Sequence, residues 1–241
     1  MPTLIRAHLI LVRHGQSQWN LENRFTGWVD VDLTAEGEAQ ATKGGQLIAE
    51  AGVAIDRCYT SVLTRAIRTS WLALAAAGQA FVPETKDWRL NERHYGGLTG
   101  LNKTETAAKH GAEQVKIWRR SYDVPPPPLP PGGEFDFAKD RRYAGAVLPD
   151  TESLETTLLR VQPYWDGEIA PRLADGETLL IAAHGNSLRA IVKLLFRLDG
   201  ETIVGVEIPT GNPLLLELDV ALKPIFARYL DAERAQPLPA F

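Results

Sequence analysis

Two short stretches of this chain end alike. Leu9-Ile10-Leu11-Val12 runs into Arg13-His14-Gly15, and Leu179-Leu180-Ile181-Ala182-Ala183 runs into His184-Gly185-Asn186-Ser187. A short apolar run stopped by glycine and polar residues reads as a buried strand. In open α/β sheets, groups just past the strand ends meet at the carboxyl edge, where ligands bind. A single strand-end histidine is ordinarily bonded to a backbone carbonyl and has no further role. Two of them, far apart in sequence and one preceded by an arginine, point to a shared site. Gly15, lacking a Cβ, would let a ligand approach the backbone there.

Further charged groups could join them. Arg65 lies in the first turns of a segment, residues 61 to about 77, that reads as a helix following a strand, and that end of a helix favours anions. Such an arginine is ordinarily a solvated charge, and Arg68 is read as a surface or ion-pairing residue. Residues 90–100 mix charged, aromatic and glycine residues without a helical or strand period, as functional loops do. This loop offers Glu92 as an acid/base, and His94 could share that role or simply pack. Lys103, Arg119 and Arg120 lie on a mostly helical stretch, 103–122, with Gly111 between two pieces.

Such a cluster holds many cations and few carboxylates. The planar fork of arginine matches phosphate oxygens. A metal site would want several carboxylates or closely spaced histidines such as His-Glu-x-x-His; neither occurs, so no metal is expected. Phosphoryl transfer requires an in-line nucleophile, neutralisation of the equatorial oxygens and a proton donor for the leaving oxygen. A neutral imidazole can attack, and the phosphohistidine splits one hard step into two. Arginines and a second histidine can stabilise the transferring group, each donor being worth ~3 kcal/mol. A carboxyl beside phosphate retains a transferable proton, which suits Glu92. The residues alone give only a small preference between the histidines. His14, next to Arg13, is favoured as nucleophile and His184 as charge stabiliser.

The positioning elements follow from pattern and punctuation. Thr34 reads as the N-cap of a helix over 35–51 stopped by Gly52, in which Gly44 and Gly45 either weaken the helix or mark close packing. Strands are expected over 55–60, 81–85 and 213–219. Residues 152–173 read as helix, with Pro163 and Pro171 each bending or ending a segment. The proline run 125–131 is extended polyproline II, read as a stiff loop in preference to a docking motif for an aromatic groove. Residues 1–241 are expected to form a single domain, with about 102–148 inserted over the sheet edge and a loose tail from Arg234.

At 241 residues the chain is long enough for one full α/β core. A net charge of −4 argues against nucleic-acid binding but leaves room for a small anion in a locally basic pocket. No apolar run reaches the length of a membrane span, so no membrane partner is expected, and the N-terminal apolar stretch is too short for a signal peptide. Cys58 is the single cysteine. It permits no intrachain disulfide and no multi-cysteine zinc site, and it fits a cytoplasmic location.

The strings Val-Arg-His-Gly-Gln-Ser (12–17), Leu-Asn-Glu-Arg-His-Tyr-Gly (90–96) and Ala-Ala-His-Gly-Asn-Ser-Leu-Arg-Ala (182–190) resemble the histidine phosphatase, or phosphoglycerate mutase-like, superfamily. Within it the resemblance is close to the cofactor-dependent phosphoglycerate mutases and covers most of the chain. It implies an α/β fold, a mostly parallel open sheet with helices on both faces. It also implies a homodimer or homotetramer and no metal. The implied activity interconverts 3-phosphoglycerate and 2-phosphoglycerate through a phosphohistidine at His14, primed by 2,3-bisphosphoglycerate. Glu92 would match the family's proton carrier and His184 its charge stabiliser. Substrate contacts carried over by the resemblance are Arg13, Ser17, Asn20, Thr26, Gly27, Arg65, Glu92, Arg93, His94, Tyr95, Lys103, Arg119, Arg120, Gly185 and Asn186. Two departures concern closure over the pocket: residues 129–136 look short, and no lysine follows Lys223. The alternatives are a histidine-type phosphatase acting on a small phosphorylated metabolite, and a catalytically silent phosphate-binding adaptor.

Overall fold

Strand β1 (Ala7–Arg13) is apolar and buried over Leu9–Val12 because both its faces are covered there. Side chains alternate across a strand. Leu9 and Leu11 accordingly enter one core with Ile181 and Leu188, while Ile10 and Val12 enter another with Ile48, Cys58 and Leu74. The computed structural model describes residues 4–240. Its sheet has the order β3-β2-β4-β1-β5-β6, with β2 at Arg57–Thr60, β3 at Glu84–Lys86, β4 at Leu179–Ala183, β5 at Leu214–Leu218 and β6 at Pro224–Tyr229. The β3–β2, β2–β4 and β4–β1 pairs are parallel; β1–β5 and β5–β6 are antiparallel.

The expected mostly parallel sheet is present, with two differences. β6 was not expected: its buried and open positions alternate, and it starts with a proline, as edge strands tolerate. β3 is only three residues long and starts after Pro83, which has no N–H to give to a ladder. Phe81, expected in this strand, is exposed instead.

Helices α2 (Ala35–Glu50) and α3 (Thr64–Ala76) cover one face. Thr34 caps α2 by accepting the Gly37 N–H at 3.1 Å, and Gly52 takes φ +67° past its end. The interior glycines mark close packing: a Cβ on Gly45 would stand 2.1 Å from the Ala73 carbonyl oxygen, so the two helices meet backbone to backbone.

The other face is covered by α6 (Leu154–Tyr164), α7 (Ala170–Ala174) and α8 (Gly185–Phe196). Pro163 precedes a wide π turn over Trp165–Ile169, and Pro171 sits in the first turn of α7, where a missing N–H costs nothing. The helix begins after Ser153, its cap, so Glu152 lies outside it.

The remaining helices are α1 (Gln18–Leu21), α4 (Lys103–His110) and α5 (Ala112–Arg120), the last two separated by Gly111 at φ +87°, and each gives at least one residue to the wall of one cleft. The proline run is a docked loop. Pro127 O accepts the Gly97 N–H at 2.7 Å and Pro126 O accepts the Thr151 hydroxyl at 2.8 Å.

Candidate active site

Register brings the two histidines together. β1 and β4 are adjacent and parallel, with Arg13 opposite Ala183. Each strand's next residue therefore leaves the sheet at the same level, and these residues are His14 and His184. Their ring centroids are 5.0 Å apart and both rings are buried.

Hydrogen bonds set the tautomers. His14 Nδ1 lies 2.7 Å from the Gly15 carbonyl oxygen, which can only accept. Nδ1 therefore carries the proton, and the lone pair is on Nε2. His184 Nε2 is 2.8 Å from Ser61 Oγ, a hydroxyl that already accepts the Leu63 N–H. His184 Nδ1 is a buried atom without a protein partner among the described residues; it carries the ring proton when Ser61 donates to Nε2. Loss of hydration first, then the nearby Arg65, and further His14 for His184 and Arg13 for both, hold both rings well below the ordinary histidine value. Both are neutral at pH 7, as a nucleophile and an uncharged donor require.

Arg65, on α3, is buried, and desolvation pushes its guanidinium down to about 10. It donates to Val29 O and Gly27 O, both at 2.8 Å. Arg13 donates from Nη1 to Ile208 O at 3.0 Å. The Nε atoms of both arginines are buried with no partner among the described residues, as donors kept for an anion would be. Glu92 Oε1 accepts the backbone N–H groups of Arg93 (2.7 Å) and Asn186 (3.1 Å), the latter from the first turn of α8. A Cβ on Gly185 would stand 3.6 Å from Arg13 Nε and 3.7 Å from Glu92 Oε2, so glycine keeps this corner open.

The cleft has a volume of about 130 Å³. Of the expected residues, Arg13, His14, Asn20, Thr26, Arg65, Glu92, Tyr95, Lys103, Arg119, Arg120, Gly185 and Asn186 line it. Burial, then Arg119 and Arg13, push Lys103 down to about 8. Arg120 is ion-paired with Glu207.

The rest of the expected set stands behind that wall. Ser17 caps α1 through Asn20. Gly27 takes φ +52° and supplies a carbonyl to Arg65. Arg93 stacks on Tyr95 and donates to Arg119 O. His94 packs edge-on against Trp28 and Phe137, and its Nδ1 accepts the Gly96 N–H. Gly15 also differs from expectation. Its missing Cβ admits Gly37, whose carbonyl oxygen would be 2.0 Å from that atom, and not a ligand.

Sequence reasoning missed Ser61, Arg24, Arg189 and Glu207, all in or beside the cleft. Ser61 follows Thr60, which pairs with Ala182 one strand away, so the strand pairing puts it at the same edge as His184. The others reach the cleft by tertiary packing. Arg189, for example, lies one turn along α8 and donates to Asn186 Oδ1 at 2.9 Å.

One imidazole and two guanidiniums line the opening, with a carboxyl at its side, while His184 does not line it and is fully buried 5.0 Å behind the His14 ring; such a group can take up and release a phosphoryl group. Residues 9–144 match the histidine phosphatase superfamily (branch 1), and the chain belongs to that superfamily. Within it the likeness narrows to 2,3-bisphosphoglycerate-dependent phosphoglycerate mutases. The chain is 76% identical to the one from Caulobacter sp. (strain K31), covering 96% of this chain and 98% of the relative. It is 75% identical to the one from Caulobacter vibrioides, covering 99% of each. Among solved structures, a mycobacterial glucosyl-3-phosphoglycerate phosphatase in complex with VO3 superposes with a TM-score of 0.70 at 20% identity, over 92% of this chain and 96% of that one. At that identity the likeness is one of fold.

Proposed function

We infer that this chain is a phosphoglycerate mutase that interconverts 3-phosphoglycerate and 2-phosphoglycerate through a phosphohistidine at His14. The observation that carries the reading is the pair of neutral imidazoles, 5.0 Å apart, walled by Arg13 and Arg65. When bound, 2,3-bisphosphoglycerate supplies the phosphoryl group that primes His14. The residues present fit a doubly anionic three-carbon molecule. Unpaired donors on Arg13 and Arg65 suit one phosphate, and Arg24, Lys103 and Arg119 suit a second anion farther along the cleft.

His14 Nε2 attacks phosphorus in line as the bond to the leaving oxygen breaks. Glu92 gives that oxygen a proton, while Arg13, Arg65 and the His184 Nδ1–H neutralise the equatorial oxygens. In the reverse step an acceptor hydroxyl gives its proton to Glu92 and attacks phosphorus, and the P–N bond breaks. Residues 102–148 act as a cover that keeps water from the phosphohistidine, which separates a mutase from a phosphatase. Among the described residues no helix is long and apolar enough to cross a membrane. We place the enzyme in the cytoplasm as a homodimer or homotetramer.

Brief exposure to 2,3-bisphosphoglycerate followed by mass spectrometry tests the reading. One acid-labile phosphoryl adduct is expected on His14 and none in His14→Ala. Release of free phosphate from 3-phosphoglycerate and primer, with no 2-phosphoglycerate formed, would overturn it.

A further inference from the structure

The loop that carries Glu92 has no regular structure between the 3-10 turns at Trp88–Leu90 and Gly96–Leu98, so its carbonyls need partners from elsewhere. One guanidinium supplies them. Arg160, on α6, donates from Nη1 to the carbonyls of Arg89 (2.7 Å) and Asn91 (3.3 Å). From Nη2 it donates to Asn91 O (3.3 Å) and Glu92 O (3.2 Å). Its Nε and Nη2 also reach the two oxygens of Glu152 at 2.6 and 2.8 Å. The side chains of this pair are only 6% and 2% exposed.

Glu152 extends the clamp. Its Oε2 accepts the His94 N–H at 2.8 Å, and its own N–H donates to His94 O at 2.9 Å. The Trp28 indole adds a 2.6 Å bond to the Glu92 carbonyl, and the Arg160 guanidinium lies 5.5 Å from that indole ring. The backbone on either side of the Glu92 carboxyl is therefore tied to one buried ion pair that does not touch the cleft. A buried pair of this kind adds little net stability over apolar residues of the same volume. What it does supply is directed donors. A lysine, with three donors on one point, could not span a carboxylate and a row of carbonyls.

We propose that Arg160, charge-balanced by Glu152, is a positioning residue: it holds the Glu92 backbone so that the carboxyl meets the oxygen whose proton it carries. This rests on the reading of Glu92 as the proton carrier. The test is a double-mutant cycle on the full chain, with 3-phosphoglycerate as substrate and 2,3-bisphosphoglycerate as primer. Arg160→Lys is expected to lower kcat about 10²-fold, as a misplacement near 1 Å does, with KM changed by less than about threefold. The combined Arg160→Lys/Glu92→Gln variant is expected to fall no further than Glu92→Gln alone, because a residue that acts through Glu92 has nothing left to position. Losses that multiply, or an unchanged kcat in Arg160→Lys, would overturn the proposal. Wild-type kcat in Glu92→Gln would instead remove the proton-carrier reading and the proposal with it. Should Arg160→Lys not fold, Glu152→Gln keeps the shape of the clamp, and the same cycle is run with the same criterion.

Discussion

Gly15→Ala puts the geometry of the nucleophile under direct strain. Its new Cβ would lie 2.0 Å from Gly37 O, where ordinary contact begins at 3.4 Å. The deficit is 3.4 − 2.0 = 1.4 Å, and it falls on backbone, which no rotamer change can relieve. α2 cannot retreat easily. Gly45 is seated on Ala73 O, and a Cβ on Gly44 would already be 2.7 Å from Gly211 O. The displacement therefore falls on residues 14 and 15. The Gly15 carbonyl is the group that holds the His14 proton on Nδ1, so its rotation also loosens the tautomer. Overpacking of this severity costs about 3 kcal/mol, or about 6–12 °C in Tm. A nucleophile displaced by about 1 Å costs about 10² in kcat, while KM changes less because Lys103 and Arg119 sit on other elements. A coupled mutase assay and a thermal melt measure both. Gly37→Ala, which meets Gln16 O at 2.0 Å from the other side of the same interlock, should be destabilised alike. A Gly15→Ala enzyme with kcat within threefold of wild type would refute the reasoning.

Ser61→Ala removes the partner of His184 Nε2 and the acceptor of the Leu63 N–H. It should cost about 1–3 kcal/mol in denaturant melts and lower kcat with little change in KM; an unchanged kcat would show that the hydroxyl does not set the ring's tautomer. Acid stability follows from three buried rings. His14 and His184 are held well below their ordinary value of 6.5 mainly by lost hydration, and His94 is pushed down to about 4 by the same cause. Their contribution is complete above pH 6.5 and is lost as pH falls, since the unfolded chain takes up protons that the folded chain refuses. Each ring contributes a slope approaching about 1.4 kcal/mol per pH unit below pH 6.5, and for His94 that slope fades as pH nears 4. Urea midpoints that stay level between pH 6.5 and 5.5, where most carboxylates are still ionised, would contradict this.

Local chemistry was legible in the chain. The apolar runs ending in His14 and His184, the Thr34 cap and the glycine stop at Gly52 depend on neighbours in sequence, and each recurs in the structure at the expected place. The predominance of cations near the histidines was equally readable, because residue type alone decides charge. What needed the tertiary structure was every decision made between strands and helices. The Arg13–Ala183 register turns two distant histidines into neighbours. The Gly15–Gly37 interlock reassigns a glycine that had seemed to face a ligand. Ser61 became the partner of His184 only when β2 was laid beside β4, and Arg160 became a clamp only when α6 was packed under the Glu92 loop. Sequence reports the groups a residue can offer; which buried donor meets which acceptor depends on close approach of backbones far apart along the chain, and packing alone decides that.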